Sequence, residues 1–436
     1  MTTRDECQAR DAADPLTPVR AEFDMRKPDA EGLIYLDGNS LGALPASAAA
    51  RVREVVEQEW GAGLIRSWNT AGWITASQRI GDKIARLIGA RPGEVVVADS
   101  TSANLYKVLS AAIDMVRAGA AGSPAARTRI VSERTNFPTD LYIAETLARV
   151  HGFELVLVDA DELPSCLDDR LAALMLTHVN YRTGRMFRMA EVTRAAHAAG
   201  AMVIWDLAHS AGAMPVDLYA GGRDDDAADF AVGCGYKYLN GGPGAPAFVW
   251  AHPAHTAWMD RHDWRQPLSG WLGHAEPFAF TTEYRPAAGI LRFVCGTPPV
   301  VALAALDCGV DTILAAEAHG GLAAVREKSL ALTDLFISLV ESRCAGHGLT
   351  LVTPRQPADR GSQASFAHAT AGYEMMQALI ARGVIGDFRA PDILRFGFTP
   401  LYTRLVDVFD AVDRLTQVMT SEEWKDPRFA VRAAVT

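Results

Sequence analysis

Apolar residues in this chain gather in short runs rich in β-branched side chains, and the runs recur at intervals that leave room for helices between them. EVVVADS (Glu94–Ser100), TRIVSE (Thr128–Glu133), FELVLVD (Phe153–Asp159), LAALMLTHV (Leu171–Val179), AMVIWD (Ala201–Asp206), FAVGC (Phe230–Cys234) and PAFVW (Pro246–Trp250) make seven candidate strands. Stretches with helical spacing, Ser102–Ala118, Thr139–His151 and Met189–Ala199, separate several of them. Continuous apolar runs alternating with helices predict a mainly parallel sheet buried on both faces. The sixth and seventh runs are joined too closely for a helical crossover, so that pair is expected to be antiparallel.

The pattern changes in the last third. A long amphipathic stretch, Val325–Cys344, precedes strand-like Leu349–Thr353, Gln363–His368 and Ile393–Phe398, with helical spacing at Tyr373–Arg382 and Arg404–Met419. This predicts an α/β chain with a seven-stranded large domain and a smaller α+β C-terminal domain. The boundaries fall at residues 1–60 for an N-terminal arm and helix packed on the small domain, 61–320 for the large domain and 321–436 for the small one. GGRDDDAA (Gly221–Ala228) reads as a charged surface loop.

In open parallel sheets, ligands gather beyond the carboxyl ends of the strands, where helix N-termini offer unpaired N–H groups. Thr101 and Ser102 open a helix after the first strand, and Phe137 and Asp140 do so after the second. Asp206 ends the fifth, with His209 three residues on, and Tyr236–Lys237 follow the sixth. Each has an ordinary structural role to offer: cap, turn, core or snorkelling lysine. Together they fit another need. Pyridoxal phosphate requires an acid for its pyridinium nitrogen, a lysine for its aldehyde and an anion site for its phosphate. Lys237 sits among small and apolar residues, a setting that disfavours the ammonium form and suits an attacking amine. Gly241–Gly244 lacks the G-x-x-x-x-G-K-[ST] pattern and reads as a turn permitting close backbone approach. Trp271 and Thr297 lie in Gly/Pro-punctuated loops, and Arg395 lies on an apolar strand of the small domain, where a carboxylate is its natural partner. His178 and Asn180 end the fourth strand; core packing is the favoured role for His178.

Composition narrows the classes. With 42 Lys+Arg against 52 Asp+Glu the net charge is -10, and no basic run is long enough to follow a phosphate backbone, so nucleic acid is not an expected partner. The N-terminal stretch carries acidic residues where a signal peptide needs an apolar segment, and no later segment has the length of a membrane span, which predicts a cytoplasmic protein without a membrane partner. Six cysteines scattered without a C-x-x-C pair argue against disulfides and a structural zinc site, so no metal is expected.

YLDGNSLG (Tyr35–Gly42), FPTD (Phe137–Asp140), WDLAHSAG (Trp205–Gly212), YKYLNGGPG (Tyr236–Gly244) and RFGFTP (Arg395–Pro400) together resemble the kynureninase family, of the bacterial type, over almost the whole chain. The resemblance implies the pyridoxal-phosphate fold type I, a homodimer with its active site at the subunit interface, and hydrolysis of the β,γ bond of L-kynurenine or 3-hydroxykynurenine to the anthranilate and L-alanine. That reaction belongs to tryptophan degradation by the kynurenine pathway and to NAD biosynthesis. By matching positions, Lys237 would bind the cofactor aldehyde and move the α-proton, Asp206 would hold the pyridinium N–H and His209 would support it. Thr101, Ser102 and Tyr236 would hold the phosphate, with Tyr236 also a candidate acid. Phe137 and Asp140 would line the ring pocket, Trp271 and Thr297 would reach the phosphate region from the other subunit, and Arg395, with Asn39 and Ser40, would bind substrate. Two positions depart from the pattern: Gly235, where a hydroxyl residue is expected, and the acidic insertion at Gly221–Ala228. The competing readings are another fold type I lyase, such as a desulfurase, which would want a reactive loop cysteine, and a catalytically silent cofactor-binding protein.

Overall fold

The computed structural model describes residues 2–119, 127–221 and 226–432; the middle of the Gly221–Ala228 loop lies outside them. Seven strands, β1 (Val95–Val97), β2 (Arg129–Glu133), β3 (Glu154–Val158), β4 (Leu171–Thr177), β5 (Met202–Asp206), β6 (Phe230–Gly233) and β7 (Phe248–Ala251), form one sheet in the order β1, β7, β6, β5, β4, β2, β3. From β6 to β3 every pairing is parallel, and β7 runs antiparallel to both of its neighbours, β6 and β1. The helices Thr101–Arg117, Pro138–His151 and Met189–Ala198 lie within a residue or two of their predicted bounds.

The apolar runs are continuous because both faces of the sheet are covered. Val95, Val97, Val203, Trp205, Phe248 and Trp250 enter one core, while Val96, Met202, Ile204, Val249 and Ala251, the alternate positions, enter another. The first run, read as far as Ser100, stops being strand at Val97 because Asp99 turns left-handed (φ 44°) and Ser100 caps the next helix.

A third core contains Leu332, Phe336, Phe366, Phe396 and Val412, and is joined by Cys7, Ile34 and Leu36 from the N-terminal segment. It packs on an antiparallel sheet of β8 (Thr350–Leu351), β9 (Gln363–Ala367), β10 (Asp387–Arg389) and β11 (Ile393–Gly397), ordered β10, β11, β9, β8. Ile34–Tyr35 pairs in parallel with Val384–Ile385, tying the two ends of the chain together. The expected strand Leu349–Thr353 shortens to β8, as the Val352 and Thr353 N–H groups share the Ser365 carbonyl and the Ser365 N–H turns to the Thr353 hydroxyl, 2.8 Å. The short β10, Asp-Phe-Arg, carries no apolar run and escapes a reading based on hydrophobicity.

Register gathers the chemistry at one edge. Thr177 pairs with Asp206, and Asp206 with Val232, so β4, β5 and β6 end together. The strand order also reverses beside β2 and β4, which opens a crevice at the carboxyl ends.

Candidate active site

A cavity of about 230 Å³ lies at that edge, lined by Thr101, Ser102, Phe137, Asp140, Asp206, His209, Tyr236 and Lys237 among others. Eight of the residues singled out in the sequence therefore meet around one space. Ser100, not Thr101, is the N-cap; its hydroxyl accepts from the Ala103 N–H at 3.3 Å. That leaves Thr101 and Ser102 to line the cavity at the first turn, an arrangement suited to an anion.

Lys237 is half-buried, and its Nζ lies 2.9 Å from His209 Nε2 and 5.9 Å from the centre of the Phe137 ring. Burial, and then the charge of Lys237, holds the His209 imidazole well below its ordinary value, so the ring is neutral. With Nζ donating to Nε2, the ring proton sits on Nδ1, which is buried and has no partner among the described residues.

Asp206 and Asp140 are 5% and 3% exposed. Burial, reinforced by the charge of Asp206, raises the Asp140 carboxyl well above the carboxylate range. Burial also raises Asp206, but the Lys237 charge and the Ala208 N–H, 2.8 Å from Oδ1, oppose it. Asp140 is thus the protonated member and Asp206 the anion, and the buried Asp140 Oδ2 has no hydrogen-bond partner among the described residues. A cavity with an amine, a buried anion, an anion-binding helix start and two orphaned polar atoms fits pyridoxal phosphate.

Arg395, Asn39 and Ser40 are not among the cavity-lining residues. Arg395 is 1% exposed, and its guanidinium takes both oxygens of Asp387 (2.8 and 2.5 Å), the Ser40 hydroxyl (2.6 Å) and the Tyr181 carbonyl (2.7 Å). Asn39 is fully buried, and its amide, oriented to satisfy both ends, donates to Asp37 at 3.2 Å and accepts from Arg395 Nε at 3.3 Å. Tyr181, which lines the cavity, is the link between the two groups, and neither it nor Asp387 was apparent in the sequence. Tyr181 sits in a turn with no pattern of its own, although Asp387 stands two residues before Arg389 and eight before Arg395, a spacing that a hairpin converts into an ion pair. Trp271 and Thr297 lie elsewhere, lining an open pocket of about 830 Å³ with Ile65, Trp68, Phe278 and Phe280.

His178 is a core residue, 5% exposed, edge-on to Trp205 and lowered to about 4 by burial. Asn180 is also structural: its amide donates to Glu133 and Thr135 and its oxygen accepts from Arg182 and Thr183 N–H. YLDGNSLG packs directly on YKYLNGG, where the Gly42 N–H donates to the Tyr236 carbonyl at 2.8 Å and a Cβ on Gly42 would meet Lys237 O at 2.5 Å. Gly235 has a similar reason: a Cβ there would stand 2.3 Å from Pro246 O, so no hydroxyl residue fits.

Known proteins agree with the motifs. Residues 325–415 match the family model described as the kynureninase C-terminal domain. Over 439 aligned residues, all of this chain and all of its relative, the sequence is 56% identical to a kynureninase of Burkholderia pseudomallei (strain 1106a). The chain belongs to the kynureninase family. Among solved structures it is similar in fold to the apo cysteine desulfurase of Thermococcus onnurineus NA1 (TM-score 0.73, 18% identity, 93% of this chain and 98% of the other). It is also similar to a C-DES mutant with glycine covalently linked to its PLP cofactor (TM-score 0.69, 15% identity, 90% and 99%). These likenesses show that the chain shares the α/β fold of those proteins. The desulfurase reading is not favoured: none of the six cysteines is exposed, and Cys234, which lines the cavity, has its thiol raised by burial.

Proposed function

We propose that this protein hydrolyses the β,γ carbon–carbon bond of L-kynurenine, and of 3-hydroxykynurenine, to an anthranilate and L-alanine, using pyridoxal 5'-phosphate. The observation that carries the reading is the meeting of Lys237, the Asp206–Asp140 pair and the start of helix Thr101–Arg117 around one cavity. The membership of the kynureninase family supplies the substrate.

The bound cofactor supplies an aldehyde and a protonated ring able to accept the electron pair left by the α-proton. Lys237 Nζ would hold that aldehyde carbon, and its free amine would serve as the base for the α-proton. His209, neutral and bonded to Nζ, orients the amine. Asp206 would hold the ring N–H with its charge, and protonated Asp140 adds a second polar wall without a second charge. Phe137, on the cavity wall, would stack on that ring. Thr101, Ser102 and Tyr236 receive the phosphate; burial raises the Tyr236 phenol, which keeps it a proton donor. Arg395, held by Asp387 and Ser40, is the substrate-carboxylate site beyond Tyr181, with Asn39 supporting it.

The protein is read as a cytoplasmic homodimer of the kynurenine pathway of tryptophan degradation, with Trp271 and Thr297 lent to the partner's phosphate region. Their position in an exposed aromatic pocket away from Lys237 supports this. Among the described residues no helix is long and apolar enough to cross a membrane. The residues fall into an N-terminal arm, a large cofactor-binding domain and a small C-terminal domain.

The test is an absorbance spectrum between about 300 and 500 nm, the range of the cofactor's conjugated chromophore, with and without L-kynurenine, with anthranilate fluorescence as product readout. A cofactor band, substrate-dependent spectral change and anthranilate formation that disappears in Lys237→Ala are expected. A cofactor band with no anthranilate would move the assignment to another amino-acid substrate.

A further inference from the structure

Behind the first turn of helix Thr101–Arg117 lies a buried cation that the proposed reaction does not use. Lys107 is 0% exposed, and its Nζ donates to the Asp99 carboxylate, to Asn104 Oδ1 at 3.2 Å and to the Phe293 carbonyl at 2.6 Å. An ammonium has three donors, and all three are engaged. Asp99 is different: its side chain retains 34% of its exposure and lines the cavity. It directly precedes the cap Ser100, adopts a left-handed φ of 44° and accepts the Ala247 N–H at its carbonyl, 2.9 Å. A residue with a Cβ takes that conformation at a cost, so its surroundings must hold it there.

A carboxylate on the wall of an anion site repels the anion. In a partly dry cavity that repulsion is poorly screened, and a paired cation on the far side of the carboxylate offsets it. We propose that Lys107 is a positioning residue for the cofactor phosphate, neutralising Asp99 and fixing the left-handed turn that presents Ser100, Thr101 and Ser102. The inference rests on the reading above that the phosphate occupies this helix start. The third bond extends the role: Phe293 ends the turn Gly289–Phe293, and the chain runs from it into Cys295, Gly296 and Thr297. The same ammonium therefore ties a subunit's own phosphate cup to the segment it is proposed to lend to its partner.

The experiment measures binding of pyridoxal 5'-phosphate, of pyridoxal, which lacks the phosphate, and of inorganic phosphate as competitor. The apoprotein is compared as wild type, Lys107→Met, Asp99→Asn and the double variant. Lys107→Met should weaken pyridoxal 5'-phosphate by about 10- to 100-fold and leave pyridoxal unchanged, because only the phosphate senses the bared carboxylate. Asp99→Asn tolerates the same backbone conformation and should tighten pyridoxal 5'-phosphate and phosphate several-fold. The double variant should return to within about threefold of wild type. Equal losses for both cofactor forms in Lys107→Met, or a double variant no better than the single one, would overturn the proposal. Should Lys107→Met fail to fold, Asp99→Asn decides alone: unchanged or weaker phosphate binding counts against it. A wild-type protein that binds pyridoxal as tightly as its phosphate, with no competition by phosphate, would instead sink the reading of the phosphate site. A wild-type preference with all variants alike overturns only the role of Lys107.

Discussion

Asp206 and Asp140 share one buried wall, and burial allows that wall a single negative charge. The two carboxyls should therefore respond differently to the same change. Asp206→Asn removes the anion that faces the ring nitrogen and should lower kcat by about 100-fold or more, whereas Asp140→Asn replaces a group that is already neutral and should cost about tenfold or less. Steady-state kinetics with L-kynurenine distinguish them, and equal losses would contradict the assignment of the proton to Asp140. Asp37 gives a second test at this scale. Burial and the neighbouring Asp387 raise its carboxyl from 3.8 to about 7, against the pull of Arg395. A folded value above the unfolded one favours the protonated native state, so this stability is complete below the unfolded value and is lost as pH rises through about 7. Asp37→Asn removes that dependence. Relative to wild type its stability should rise between about pH 4 and 7, by up to about 1.4 kcal/mol per pH unit, and level off above, read as a difference in Tm; a constant difference would refute the shift.

At the scale of elements, turn geometry rather than propensity decides the site. The stretch between β6 and β7 folds back on itself, with Gly241 N–H donating to the Gly235 carbonyl at 2.9 Å and Gly242 and Gly244 at positive φ. Gly235→Ser would drive a Cβ into Pro246 O and should destabilise the protein by about 1–3 kcal/mol, read as a fall in Tm with weaker cofactor retention. A neutral outcome would mean that the backbone can shift there. Strand and helix positions were largely legible in the sequence, because burial on both sheet faces writes continuous apolar runs. What was not legible was polar: β10 carries Asp387 and Arg389 and became visible only through its pairing with β11.

Across the whole molecule, the pocket holding Trp271 and Thr297 contains Ile65 (76% exposed), Phe278 (60%) and Phe280 (77%). Large apolar side chains contiguous on a surface favour association. Ile65→Asp with Phe280→Asp should shift the proposed homodimer toward monomer in sedimentation velocity, and cofactor affinity should fall with it. A dimer undisturbed by both changes would place the interface elsewhere.

The sequence by itself determined the α/β class, the order of strands and helices, and the eight residues that meet in the cavity, because strand ends and helix starts are local features and the sheet brings them to one edge. Tertiary structure alone decided which carboxyl of Asp140 and Asp206 keeps the proton, that Arg395 is clasped by Asp387, and that Lys107 stands behind Asp99. Each depends on distance and burial between residues far apart in the chain or on separate turns, and neither quantity is encoded in spacing.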